Sequence, residues 1–327
     1  MIRRDWIRAL LYVTIGVLLG VLVFGDHDGE RVTSIESATV PCDRDMARFD
    51  VQTLEGMIAR TRASLRDGVQ QSSSEAWAFV LDRDDAQRHY STAILAHARA
   101  IRHWSFVKRP ITLLVSEQVK LSREIEASLA AVDVAIVRTF RIPFDRSRLL
   151  AFKNIDRLHL WRLPFERVVF VAPEVALLRN VEYLFQYPDF AVVPNPEAPD
   201  QFRTSLLVLR PNNATFEAMV RRLGSYQPTW DTSEQAFLSV FFNDTQTMLP
   251  WSSCPSVRTL YMRAELWDFR DITCLHWSQF PPWTWQKRTD LRYLQFHWYD
   301  YLDRYVPERR RSELDEPRGW PNKTTAE

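Results

Sequence analysis

Side chains able to do chemistry collect where apolar runs end. Asp82, Asp84 and Asp85 follow the run Trp77 to Leu81, and Glu174 closes the turn Ala172-Pro173-Glu174 behind Val168 to Val171. Lys153 precedes a charged segment, Arg203 falls in the block Phe202 to Pro211, Glu234 and Gln235 follow Ser233 at the head of an apolar segment, and His276 sits in Cys-Leu-His-Trp. Carboxylates and imidazole are ligand types that a divalent cation accepts. Lysine and arginine neutralise anions. Each residue also suits an ordinary role. Asp84 and Asp85 can cap the helix that follows, and Glu174 can be a solvated turn acid. Lys153 precedes a charged helix that suits the surface. Glu234 fits the first turn of a helix, where a carboxylate favours the exposed amides, and His276 can be a packed, hydrogen-bonded core histidine.

The elements that position these residues alternate between two periods. Trp77-Ala78-Phe79-Val80-Leu81, Ile111-Thr112-Leu113-Leu114-Val115, Val132 to Val137, Val168 to Val171 and Ser205 to Pro211 read as buried strands. His89 to His103, with Ile94, Leu95, Ala98 and Ile101 on one face, reads as a helix, as do Arg123 to Ala130 and Asn213 to Leu223. Ser233 caps a further helix, and Thr289 to Tyr305 suits a peripheral one. Strands alternating with helices imply an α/β fold with a mainly parallel sheet covered on both faces. Ligands of such sheets bind beyond the carboxyl ends of strands, where Asp82, Asp84 and Glu174 fall.

The chain has 327 residues, 46% hydrophobic and 25% charged, with a net charge of +1. That is enough apolar matter for a sizeable core, and no global field favours nucleic acid. Twelve Trp, ten Tyr and nineteen Phe serve cores at least as readily as sugar-binding platforms; the Trp277, Trp283 and Trp285 cluster reads first as core.

Five blocks from Trp77 to Trp283, taken in order, resemble the glycogenin-like retaining glycosyltransferases (glycosyltransferase family 8). They are Trp77 to Ala98, Phe152 to Phe185, Phe202 to Pro211, Trp230 to Phe242, and Leu275-His276-Trp277-Ser278 through Pro282-Trp283. The second resembles the family's helix, apolar strand and Asp-x-Asp motif, followed by Asn180-Val181-Glu182-Tyr183-Leu184-Phe185. The resemblance implies a GT-A-type nucleotide-diphospho-sugar transferase fold and transfer of a hexose, with retention, from a nucleotide-sugar donor (UDP-linked) to a glycan or protein acceptor. It assigns Glu174 and His276 to a metal, Mn²⁺ or Mg²⁺. Asp84, Asp85, Lys153 and Arg203 go to the donor pocket, and Glu234 and Gln235 to catalysis. The departures sit at the centre. Ala172 replaces the first acidic ligand, Arg203 and Ser205 replace an asparagine and a glycine, Glu234 replaces an aspartate, and the closing lysine has no equivalent. Metal affinity is therefore expected to be weakened. A catalytically inactive accessory subunit is the alternative reading.

The N-terminus is expected to act as a signal anchor. Ala9 to Phe24 is uncharged and apolar, preceded by Arg3, Arg4 and Arg8 and followed by Asp26, Asp28 and Glu30, an arrangement that places the following bulk across the membrane. The expected organisation is a cytosolic segment 1–8, a transmembrane anchor 9–24, a stem 25–75, a transferase-like domain 76–286, and a C-terminal helix with charged tail 287–327. Such a protein is a type II protein of the Golgi or endoplasmic reticulum with a luminal body. Sequons at Asn213, Asn243 and Asn322 agree with that. Cys254 and Cys274 can pair there or remain thiols; Cys42 falls in the stem.

Overall fold

A computed structural model of the chain describes residues 74–83, 88–142, 155–226, 233–243, 245–262, 268, 270–277 and 292–308. All belong to the unit Phe49–Glu327. The anchor 9–24, the stem through residue 73, Asp84, Asp85, Lys153, Trp283, Trp285 and the tail beyond 308 lie outside the described residues.

Seven strands form the main sheet, in the order β3-β2-β1-β4-β7-β6-β8. β1 (Glu75–Leu81), β2 (Ile111–Ser116), β3 (Val134–Thr139) and β4 (Arg167–Val171) are mutually parallel. β7 (Phe202–Leu209) runs antiparallel to β4 and to β6 (Phe190–Pro194), and β6 pairs in parallel with β8 (Thr247–Met248). The mainly parallel α/β expectation holds, with β7 as the reversed strand. A second, two-stranded sheet joins β5 (Val175–Leu177) to β9 (Cys274–His276).

The central strands read as unbroken apolar runs because they are buried on both faces. Every residue of β2 and β7 is buried, as is all of β1 after Glu75. Trp77, Phe79, Phe170 and Phe202 are among the largest fully buried side chains, each worth about 1.5–3 kcal/mol of apolar burial. The helices are α1 (His89–Trp104), α2 (Arg123–Ala130), α3 (Asn213–Leu223), α4 (Glu234–Phe242), α5 (Val257–Met262) and α6 (Arg292–Tyr305). Ser122, Asn212 and Ser233 cap α2, α3 and α4 by accepting from Ile125, Thr215 and Ala236 amides, which satisfies donors that a helix start leaves open. α6 docks through Trp298, which meets Trp277 edge to face at 5.1 Å, so Trp277 is core, as expected.

Some expectations need correction. β3 begins at Val134, not Val132, because Asp133 takes a left-handed turn at φ 56°, which interrupts any strand there. β1 takes in Glu75, placed in the stem by the sequence reading. The largest correction concerns Ile155–Arg162. Its charged sequence suits an exposed helix, yet it is a 3-10 helix buried at every residue. Several polar groups there find partners. Asp156 accepts from Ser116 and from Ile142 N at 3.0 Å, and His159 Nε2 lies 2.9 Å from Phe140 O. The Arg162 guanidinium lies over the Phe140 and Phe216 rings. Burial of charge is tolerable only with such partners.

Candidate functional site

The carboxyl edge of the main sheet brings distant segments together. Val171 pairs with Leu206, and Ala172 N donates to Ser205 O at 2.9 Å, so the Ala172-Pro173-Glu174 turn leaves the sheet beside the start of β7. On its other side, β7 breaks register with β6. Val192 faces Leu207 but Val193 faces Arg203, so Thr204 to Leu206 bulge out of that ladder. Bulges re-aim side chains next to sites. β5 starts directly after Glu174 and pairs with β9, setting Val175 opposite His276; Trp277 N donates to Glu174 O at 3.0 Å. The architecture thus joins Glu174 and His276 as neighbours across one ladder.

Arginines dominate the result. Glu174 Oε1 lies 3.0 Å from Arg83 Nη1, and Glu174 Oε2 lies 3.8 Å from Arg157 Nη2. Arg157 Nη1 donates to Glu234 Oε1 at 2.7 Å, which also accepts from Thr204 Oγ1 at 2.6 Å. Arg203 Nη2 lies 2.8 Å from Glu197 Oε1, a carboxylate that also takes Ser256 Oγ at 2.6 Å and Thr259 Oγ1 at 2.7 Å. Arg157, Arg203, Glu174, Glu234 and His276 come from five separate segments. The first four are buried.

The electrostatics follow from this packing. Burial, and next the Arg203 and Arg157 charges, hold the His276 imidazole well below the usual histidine range, so it stays neutral near pH 7. Burial pulls the Arg83 guanidinium down, but the Glu174 and Asp82 carboxylates outweigh it and raise Arg83 above its ordinary value. Burial lowers Arg203, and Glu197 offsets that only in part. Asp156, at the end of β2, is pushed up to about 6, first by burial and further by Asp82 and Glu117. Several buried atoms at this edge have no hydrogen-bond partner among the described residues: Arg157 Nε, Arg203 Nε, Glu174 Oε2, Asp82 Oδ2, Ser205 Oγ and His276 Nδ1.

Of the residues singled out from sequence, Arg203, Glu174, His276 and Glu234 gather here. Glu234 does not cap its helix, a task that Ser233 performs; its carboxylate turns to Arg157 and Thr204. Gln235 Nε2 donates to Gln201 Oε1 at 3.2 Å, so that side chain is engaged away from the arginines. The sequence reading missed Arg83 and Arg157. Arg157 stands between Ile155 and Leu158 in a segment otherwise rich in apolar residues, and that was the available signal. Its reach to Glu234 across 77 positions was not legible.

No protein-family profile matches the chain. Glycogenin-1 of Caenorhabditis elegans is 28% identical over 193 residues, 57% of this chain and 42% of that protein. Glycogenin of Neurospora crassa is 27% identical over 61% of this chain and 30% of its own length. A putative UDP-glucuronate:xylan alpha-glucuronosyltransferase of Arabidopsis thaliana is 27% identical over 47% of this chain and 26% of its own. The chain is similar to glycogenin-like glycosyltransferases. It spans less than half the length of these curated relatives. Solved glycosyltransferase structures share the fold. The galactosyltransferase LgtC, solved with donor and acceptor sugar analogues, superposes with a TM-score of 0.52 at 11% identity, covering 73% of this chain and 98% of LgtC. The glycosyltransferase GlyE of Streptococcus pneumoniae superposes with a TM-score of 0.53 at 15% identity, covering 72% of this chain and 64% of GlyE.

A divalent cation needs several oxygen or imidazole ligands around one point. Among the described residues no group of three or more His, Cys, Asp or Glu is placed to share one. Glu174 already bridges two guanidinium groups, Ala172 offers no ligand, and His276 is flanked by two arginine charges. A cation placed between Glu174 and His276 would face Arg157 at close range, and that repulsion is strong in a buried setting. The residues present do not fit it.

Cys254 and Cys274 are buried, free thiols. Cys274 Sγ donates to Ser253 O at 2.9 Å, and burial, then Cys254 beside it, pushes the Cys274 thiol up.

Proposed function

We propose that the chain is a glycosyltransferase that takes a hexose from a nucleotide-sugar donor. One observation carries the reading. In a glycogenin-like chain, buried polar groups without partners converge at the carboxyl edge of the sheet, beside β1, β4 and β7. That edge is where ligands of parallel sheets bind. Breaking the donor's glycosidic bond leaves negative charge on a nucleoside diphosphate, which preorganised donors must stabilise. UDP is the favoured nucleotide, because UDP-glucuronate appears in the name of a relative. A glycan or protein is the acceptor, and the sugar keeps its configuration. The test is a hydrolysis and transfer screen of the full chain over UDP- and GDP-linked sugars, with the product anomer read by NMR. Failure of every donor to turn over, with binding retained, would favour the accessory-subunit reading. One observation favours that second reading: Glu234 is committed to Arg157 and Thr204, which leaves no free carboxylate at its position.

The location proposed is the lumen of the secretory pathway, with residues 9–24 as anchor. Among the described residues no helix is long and apolar enough to cross a membrane, and 9–24 is not among them. The exposure of Asn213 and Asn243, both in sequons, supports the reading. Protease protection in intact microsomes, with a glycosidase mobility shift, tests it. Digestion of the body and absence of glycans would overturn it.

A further inference from the structure

We propose that Arg83, Arg157 and Arg203 hold the donor diphosphate directly, in place of a divalent cation, and that Glu174 is an internal anion the diphosphate displaces. The inference rests on the donor reading above and specifies how that site works.

Four observations carry it. First, the place where two acidic ligands would hold a metal has one acid, and that acid bridges two guanidinium groups. Second, the bridge is imperfect. Glu174 Oε1 is close to Arg83, but Oε2 stays 3.8 Å from Arg157 and, though buried, lacks a hydrogen bond. A carboxylate spans the gap poorly, whereas a diphosphate presents more oxygens over a longer reach. Third, Arg157 Nε and Arg203 Nε are buried without partners. A buried unmatched donor is costly, and an arginine fork suits phosphate oxygens. Fourth, the charges balance internally. Arg83, Arg157, Arg203 and Arg258 face Asp82, Glu174, Glu234 and Glu197. Among these paired residues an added cation finds no surplus negative charge. An added anion is accommodated only if a carboxylate leaves the guanidinium groups. Glu174 is placed to leave, because its partner Arg83 is a third exposed and its second oxygen is not hydrogen-bonded, whereas Glu234 is sealed against Arg157 and Thr204 and Glu197 is held by Ser256 and Thr259 as well as Arg203.

The chemistry this supplies is electrostatic. As the glycosidic bond breaks, its electron pair stays on the diphosphate oxygen, and the guanidinium groups neutralise it without a proton transfer.

The test is calorimetry on the full chain with ADP, CDP, GDP and UDP, in EDTA and in MnCl₂. At least one nucleotide should bind in EDTA, with affinity changed less than about threefold by Mn²⁺, since one lost ligand contact is worth about tenfold. Binding only with Mn²⁺ would overturn the inference and leave the donor reading intact. Absence of binding in both buffers would overturn both. Glu174→Gln discriminates by sign. It removes the competing anion, so binding in EDTA should tighten about tenfold; a metal ligand replaced by amide would weaken it instead. Unchanged or weaker binding in E174Q overturns the displacement. Arg203→Lys keeps the charge but loses the fork, and should weaken binding about tenfold with the melting temperature as fold control. Unchanged binding there removes Arg203 from the site. Should that variant fail to fold, E174Q decides.

Discussion

The two edges of the main sheet each carry an arginine–carboxylate network, and they differ in how deeply the arginines are buried. At the amino edge, Arg109 Nε donates to Glu75 at 2.8 Å, its Nη1 meets Glu182, and its guanidinium lies 4.2 Å over the Phe185 ring. No side-chain nitrogen of Arg109 is both buried and unmatched; Arg167, which shares Glu75 and is a quarter exposed, keeps one at Nε. At the carboxyl edge, Arg157 and Arg203 each keep a buried nitrogen without a partner. A network that only stabilises a fold tends toward saturation, because each orphan costs free energy. Unmatched donors at the ligand-binding edge are what a site awaiting an anion looks like.

The comparison can be broken by substitution. Arg157→Met leaves Glu234 buried without its counter-ion and should cost about 3–5 kcal/mol in urea unfolding. Adding Glu234→Gln should recover much of that loss, since the uncompensated charge is then gone. Additive losses in the double variant would mean that the pair is not coupled.

Asp156 gives the next largest effect, through pH. Its folded value of about 6 lies above the ordinary 3.8, so the folded state binds the proton more tightly. That contribution is complete below about pH 4 and is lost as pH rises through about 6. A shift of two units amounts to about 2–3 kcal/mol. Unfolding free energies of the wild type and Asp156→Asn, measured from pH 4 to 7, should therefore diverge. The wild type should lose stability relative to the variant as pH rises, and a constant difference would refute the assignment.

Arg109→Met should cost less, about 1–2 kcal/mol, because its partners are partly exposed and screened by solvent. Nucleotide binding should not change at all. A loss of binding in this variant would undo the contrast between the two edges. Ser233→Ala, which removes the cap of α4 next to Glu234, should cost about 1 kcal/mol by thermal unfolding. A much larger loss would mean that the cap also holds Glu234 against Arg157.

The sequence by itself determined the α/β class, the strands β1 to β4 and β7, the helices α1 to α4 and α6, and the likeness to glycogenin-like chains. It did so because those signals are local. An apolar run marks a strand buried on both faces, and a serine before an acidic residue marks a helix start; α2 and α3 fall where their residues predict. It also showed Ala172 where the resemblance expects an acidic residue. Only the tertiary structure decided which charges surround that turn. The charges of Asp156, Arg157, His159 and Arg162 read as surface, because exposure is the default for charge. Their burial depends on partners contributed by other segments: Ser116, Glu234, Phe140 and Phe216. No periodicity encodes a pairing across 77 positions. The β7 bulge that re-aims Arg203 depends on register with β6, and register is a property of two strands packed together, not of either alone.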